Sequence, residues 1–235
     1  MTLRSLALSA LLATGCLLRA EPVAPVPPGT QEAPPAPAAQ ALQGRLADGR
    51  YTAPGATYSV AVPVLHGDHA AIFDNGEIVV FRDKVATMLT IAAFPMPAIA
   101  KFEYETTGAR EYLVAFFRDN ILRDYRQEFP DSAFESARFL PDVLGGAMVA
   151  FTLLPGGSAF DSTGPAAPVA APPVAKRGHL VFVRNNHIFV LAVELAERVT
   201  ERDTYKLTTA EEDRLLFDRL VTVLATLRFG DKTEP

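Results

Sequence analysis

The segment from Gly178 to Leu195 limits what this chain can fold into more than any other. Asn185-Asn186 stands between two apolar runs, and Asn tolerates the positive φ that both central positions of a type I′ turn require. The spacing predicts a tight hairpin of Gly178–Arg184 and His187–Leu195. Successive side chains of a strand point to opposite faces. Leu180 and Phe182 share one face and Val181 and Val183 the other, so both faces are apolar. A sheet built on this hairpin must be covered on both sides.

The covers are legible as helices. From Gly108 to Phe129, the residues Leu113, Phe116, Phe117, Ile121, Tyr125 and Phe129 recur at three and four, with Thr107 as the expected N-cap and Pro130 as the stop. A second helix begins at Thr208, where Glu211 completes a capping box and Thr209 with Glu212 offers another register. Leu216, Leu220, Val223, Leu224 and Leu227 form its apolar side; Arg228 lies near its end and Gly230 just past it. Further strands are expected at Tyr58–Val62, His69–Phe73, Glu77–Arg82, Ala86–Phe94, Phe134–Leu140 and Gly145–Leu154, with an Asn75-Gly76 turn between the second and third. The Gly- and Pro-rich stretch 155–175 reads as a long flexible loop. Strands, a long helix, more strands and a final helix indicate an α+β fold, an antiparallel sheet with both helices packed on it, over residues 48–230, followed by a tail at 231–235.

The opening of this domain, Tyr51-Thr52-Ala53-Pro54-Gly55-Ala56-Thr57-Tyr58-Ser59-Val60-Ala61-Val62-Pro63, resembles the first element of the superfamily that includes the photosystem II extrinsic protein PsbP and the Ran-binding Mog proteins, and the order of elements agrees. The resemblance implies a non-enzymatic partner-binding or assembly module and transfers no site residues.

Residues 1–15 read as a signal peptide. One positive charge at Arg4 precedes an apolar run from Ser5 to Thr14, too short to span a bilayer. Ala13-Thr14-Gly15-Cys16 resembles the lipobox of bacterial lipoproteins, which implies a cleaved, acylated Cys16. The alternative is plain signal-peptidase cleavage after Gly15 or Ala20, giving a secreted soluble periplasmic protein. Residues 16–47 follow as the lipid-attachment Cys and a Pro/Ala-rich linker, whose stretch from Glu21 to Gln43 cannot form helix or sheet. At ~3.1 Å per residue its proline-rich part reaches about 70 Å. The expected location is the bacterial cell envelope, facing the periplasm; Leu17 is not the inner-membrane retention aspartate, which points to the outer membrane. The expected partners are the membrane, through the lipid, and an envelope protein.

The chemistry is sparse. A net charge of −5 with interspersed signs gives no support for nucleic-acid binding. Cys16 is the single cysteine, so the domain has neither a disulfide nor a thiol nucleophile. There is no Gly-x-Ser-x-Gly elbow and no phosphate loop, and Ser158 and Ser162 fall in the expected loop. Glu211-Glu212 and Asp119/Asp124 are accounted for as caps and solvated faces. The reading is therefore not an enzyme, with no cofactor. Two other functions stay open: an uncharacterised hydrolase with scattered residues, and a periplasmic metal-binding protein using His66, Asp68 and His69, two imidazoles and a carboxylate in one turn with Asp74 nearby. His179 and His187 flank the hairpin and form a weaker pair.

Replacing Cys16 by Ser removes the acylation site. The expected outcome is release of the protein from the membrane fraction, with globomycin causing the unaltered precursor to accumulate; fractionation and immunoblotting check both.

Overall fold

A computed structural model describes residues 42–160, 173–201 and 204–230. The leader, Cys16, Ser162 and the tail lie outside the described residues, as do most of the linker and of the 155–175 loop.

The strands are β1 (Arg45–Ala47), β2 (Arg50–Thr52), β3 (Tyr58–Ala61), β4 (Ala71–Asp74), β5 (Ile78–Arg82), β6 (Met88–Pro95), β7 (Ala133–Leu140), β8 (Ala147–Pro155), β9 (Val174–Arg184), β10 (His187–Glu194) and β11 (Arg228–Phe229). The helices are α1 (Ala98–Thr107), α2 (Ala109–Phe116), α3 (Arg123–Glu128), α4 (Glu197–Thr200) and α5 (Thr209–Thr226). A seven-stranded sheet has the order β4-β5-β6-β10-β9-β8-β7, and a four-stranded sheet the order β1-β2-β3-β11. All pairs are antiparallel, which makes the domain α+β.

The β9–β10 hairpin turns at Asn185 (φ 46°) and Asn186 (φ 57°), as the sequence predicts. Its two apolar faces meet different covers. Leu180, Phe182, Phe189 and Leu191 pack in one core with Leu216 and Leu220 of α5 and with Tyr51, Tyr58 and Val60 of the small sheet. Val181, Ile188 and Val190 pack in the other with Leu113, Phe116, Phe117, Ile121 and Tyr125. Phe182 stacks on Phe189 at 5.2 Å, and Phe229 sets its edge against both.

The long helix differs from expectation. The chain first forms α1, which begins after Pro97 in extended conformation, and breaks at Gly108 (φ 87°, ψ 159°). Thr107 therefore ends α1 instead of capping α2, and its hydroxyl donates to the Glu103 carbonyl. Between α2 and α3 the helix widens into a π turn, Phe117–Leu122, so the apolar stripe is not carried by one regular α-helix.

The Asn75-Gly76 turn is shifted by one residue. Only Gly76 has positive φ there (92°), Asn75 N–H donates to the Ile78 carbonyl, and the Asn75 side chain accepts from the N–H groups of Glu77 and Ile78. The ordered sheet also starts earlier, at Arg45 rather than residue 48.

At the far end, α5 has the Thr208–Glu211 capping box. Leu227 takes an extended conformation and leads into β11, so Gly230 does not terminate the helix but donates its N–H to the Thr57 carbonyl. Arg50, not Arg228, serves the last turn of the helix: its guanidinium donates to the Thr226 carbonyl at 2.8 Å.

Helix α5 approaches the sheet at Gly178, where an added Cβ would lie 3.0 Å from Leu216 Cβ and 3.3 Å from Leu220 Cδ1. Gly178→Ala is expected to destabilise the domain by about 1–3 kcal/mol through overpacking, measured by urea unfolding.

Candidate functional site

Lys176 and Arg177 are consecutive on β9, both fully buried, and point to opposite faces of the sheet. An unpaired charge in such a place costs several kcal/mol. Each cation is met by carboxylates from elsewhere in the chain. On the α5 side, Lys176 Nζ lies 2.5 Å from Glu135, 3.0 Å from Glu212 and 2.5 Å from Asp213. Burial opposes its charge, but the hydrogen bonds it donates to Asp213, Glu135 and Glu212 outweigh that and hold the ammonium above the ordinary lysine range. Glu212 also accepts from Arg198 and, at 2.7 Å, from the Tyr205 hydroxyl. Burial alone would raise the Glu212 carboxyl; these partners hold it below its usual range.

On the α2–α3 side, Arg177 Nε donates to Glu194 Oε2 at 3.0 Å and its terminal nitrogen to the Gly157 carbonyl at 2.8 Å. The register sets Arg177 opposite Glu194. Glu194 in turn holds the start of the β8–β9 connection: its carboxylate accepts from Ser158 Oγ at 2.6 Å and from the Ala159 N–H. Two residues along β9, His179 sits 3.0 Å from the Tyr125 hydroxyl, with the edge of its ring against Phe117. Burial, with Arg177 nearby, pushes its imidazole down to about 3, so it is neutral at physiological pH.

Above this pair opens a cleft of about 480 Å³. Its walls are the β5–β6 turn with Arg82 and Lys84, the end of α3 with Glu128 and Phe129, the segment 156–159 held by Glu194, and His69 from the β3–β4 connection. Asp83 builds the turn. Its Oδ1 accepts from the N–H groups of Val85, Ala86 and Thr87 and its Oδ2 from His66 N–H. Against the opposing effect of burial, these bonds hold the carboxyl at about 2. Arg82 lies 4.7 Å over the Phe73 ring. Arg82, Lys84 and Glu128 make no ion pair among the described residues. Burial raises the Glu128 carboxyl, while Arg177 pulls it down.

His66, Asp68 and His69 all lie exposed on the β3–β4 connection; of the three, only His69 lines the cleft, and His66 contributes through its backbone. No group of three or more His, Cys, Asp or Glu side chains is disposed to hold a metal ion among the described residues. His179 and His187 are separated along the hairpin: His179 pairs with Ala192, whereas His187 pairs with Arg184 beside the turn. Asp124 is buried, with Oδ2 lacking a hydrogen-bond partner among the described residues, rather than solvated. Glu211 caps α5 as expected, but Glu212 belongs to the Lys176 network. Sequence reasoning missed Lys176, Arg177 and Glu194. The available signal was a Lys-Arg pair entering one apolar strand opposite a Glu leaving the next.

No family model and no curated protein matches the chain. Solved structures similar to it include the solution structure of cyanobacterial PsbP (CyanoP) from Synechocystis sp. PCC 6803, with 13% identity, coverage of 77% of this chain and 91% of that one, and a TM-score of 0.47. The Ran-binding protein Mog1p of Saccharomyces cerevisiae matches with 7% identity, coverage of 80% and 96%, and a TM-score of 0.42. A structure from Bacteroides thetaiotaomicron matches with 13% identity, coverage of 79% and 49%, and a TM-score of 0.34.

Arg177→Met strands the Glu194 charge and is expected to cost about 3–5 kcal/mol; adding Glu194→Gln should recover part of that loss in denaturant titrations. His179 sets an acid response. Its folded value of about 3 lies below the ordinary 6.5, so the unfolded chain takes up the proton first. Stability should fall as pH drops from 6.5 towards 3, and His179→Asn should flatten that slope in urea titrations run at a series of pH values.

Proposed function

We propose that this chain is an exported envelope protein, held to the membrane through an acylated Cys16, whose domain is a non-catalytic binding or assembly module that engages its partner at the cleft. One observation carries the reading. The buried charges Lys176, Arg177, Glu194 and Glu212 are all taken up by internal pairs, whereas Arg82, Lys84 and Glu128 around the cleft have no ion-pair partner among the described residues. Unpaired charges at the mouth of a hollow are available for recognition. Ser158, the hydroxyl in that hollow, donates to Glu194, a carboxylate already committed to Arg177. That arrangement orients the loop and does not form a nucleophile with a free base. The leader, the Pro/Ala-rich tether and the position of the domain after them support export and anchoring.

A photoreactive residue at His69, which lines the cleft, tests the site, with Val221 on the exposed side of α5 as the control. Irradiated envelopes should yield a discrete adduct from position 69 and none from position 221. Equal labelling at both, or none at 69, would reject the cleft as the binding site.

A further inference from the structure

The charges around the cleft specify a ligand class. We propose that it takes a zwitterion of amino-acid type, a free amino acid or dipeptide, whose carboxylate lies against Arg82 and Lys84 and whose ammonium lies against Glu128. This rests on the preceding reading in using the same cleft as a binding site, and adds what occupies it.

Three observations lead there. First, two cations, Arg82 and Lys84, and two carboxylates, Asp83 and Glu128, line a single hollow of about 480 Å³, yet no ion pair joins them. That volume is in the range of small-molecule sites. A molecule bearing opposite charges at its two ends satisfies both, and charge-assisted hydrogen bonds are the strong kind. Second, the other acidic group of the cleft, Asp83, is occupied by four backbone N–H groups. Glu128 is left as the acceptor for a cation, and one available carboxylate is too few to hold a metal ion. Third, Glu128 repels a purely anionic ligand such as a phosphate, so Arg82 and Lys84 alone do not make a phosphate site. Phe129 and Gly156–Gly157 add apolar and uncharged lining to the same hollow.

The turn that carries Arg82 and Lys84 is fixed by Asp83, and the opposite wall is fixed by Glu194 through Ser158 and Ala159. Both sides are thus built before a ligand arrives, which limits the ordering cost of binding.

The test is calorimetric titration of the full chain, in detergent, with the common L-amino acids and dialanine at up to about 10 mM. At least one should bind, and its N-acetyl and carboxamide forms should bind at least about tenfold more weakly. Arg82→Ala with Lys84→Ala should weaken the parent compound about tenfold or more. Glu128→Gln should do the same while leaving the N-acetyl form unaffected, a pattern that general unfolding does not produce. Absence of binding by every compound, or binding indifferent to acetylation and to Glu128→Gln, overturns the proposal. If the titrations are blank while the adduct from position 69 persists, the ligand class is wrong and the binding site stands. If both are blank, both fail.

Discussion

The structure turns on the burial of Lys176 and Arg177 side by side in a central strand. Each would be untenable alone, since a desolvated charge costs more than most single contacts return. Their partners come from distant parts of the chain: Glu135 on β7, Glu212 and Asp213 on α5, and Glu194 on β10. The pairs therefore do more than neutralise charge. The Arg177–Glu194 contact agrees with one β9–β10 register only, and a slip by one residue would turn every side chain of the strand to the wrong face. The Lys176 cage clasps α5 and β7 to the same strand. Lys176 thus ties α5 to the sheet, while Arg177 on the other face lies 5.5 Å from the Tyr125 ring of α3.

Much of the scaffold was legible because its causes are local. The Asn185-Asn186 turn, the doubly apolar hairpin and the Thr208–Glu211 box are each written within a few residues, and each appears as read. The failures also have physical reasons. The helix read from the sequence begins at Gly108, but the chain already forms α1 before it, and the positive φ of Gly108 ends that helix and redirects the chain. Its neighbour Thr107 looks like a cap because cap chemistry and helix-end chemistry use the same hydroxyl. The site was less legible than the scaffold. Lys176 and Glu212 are 36 residues apart and Arg177 and Glu194 are 17 apart, so nothing short-range announces either pair. Charges at strand ends ordinarily signal solvent, and here they do not.

The cleft inherits its geometry from the same network. Glu194 faces both ways: one oxygen serves Arg177 in the interior, the other holds Ser158 at the cleft wall. Hydrogen bonding thereby passes from the sheet to a segment that composition alone marks as irregular. Across the cleft, Asp83 does for the β5–β6 turn what Glu194 does for the β8–β9 connection. Two acidic residues are consumed in construction, and Arg82 and Lys84 beside Asp83 form no ion pair among the described residues.

The four-stranded sheet holds both β1, which opens the described domain, and β11, which closes it, and β3 lies between β2 and β11. Tension applied at the two ends of the domain would enter through these strands and strain their short ladders first. The seven-stranded sheet, with the cleft at its margin, stands outside that line of force. Pulling on those two strands therefore loads one ribbon of backbone and leaves the cleft walls mechanically quiet.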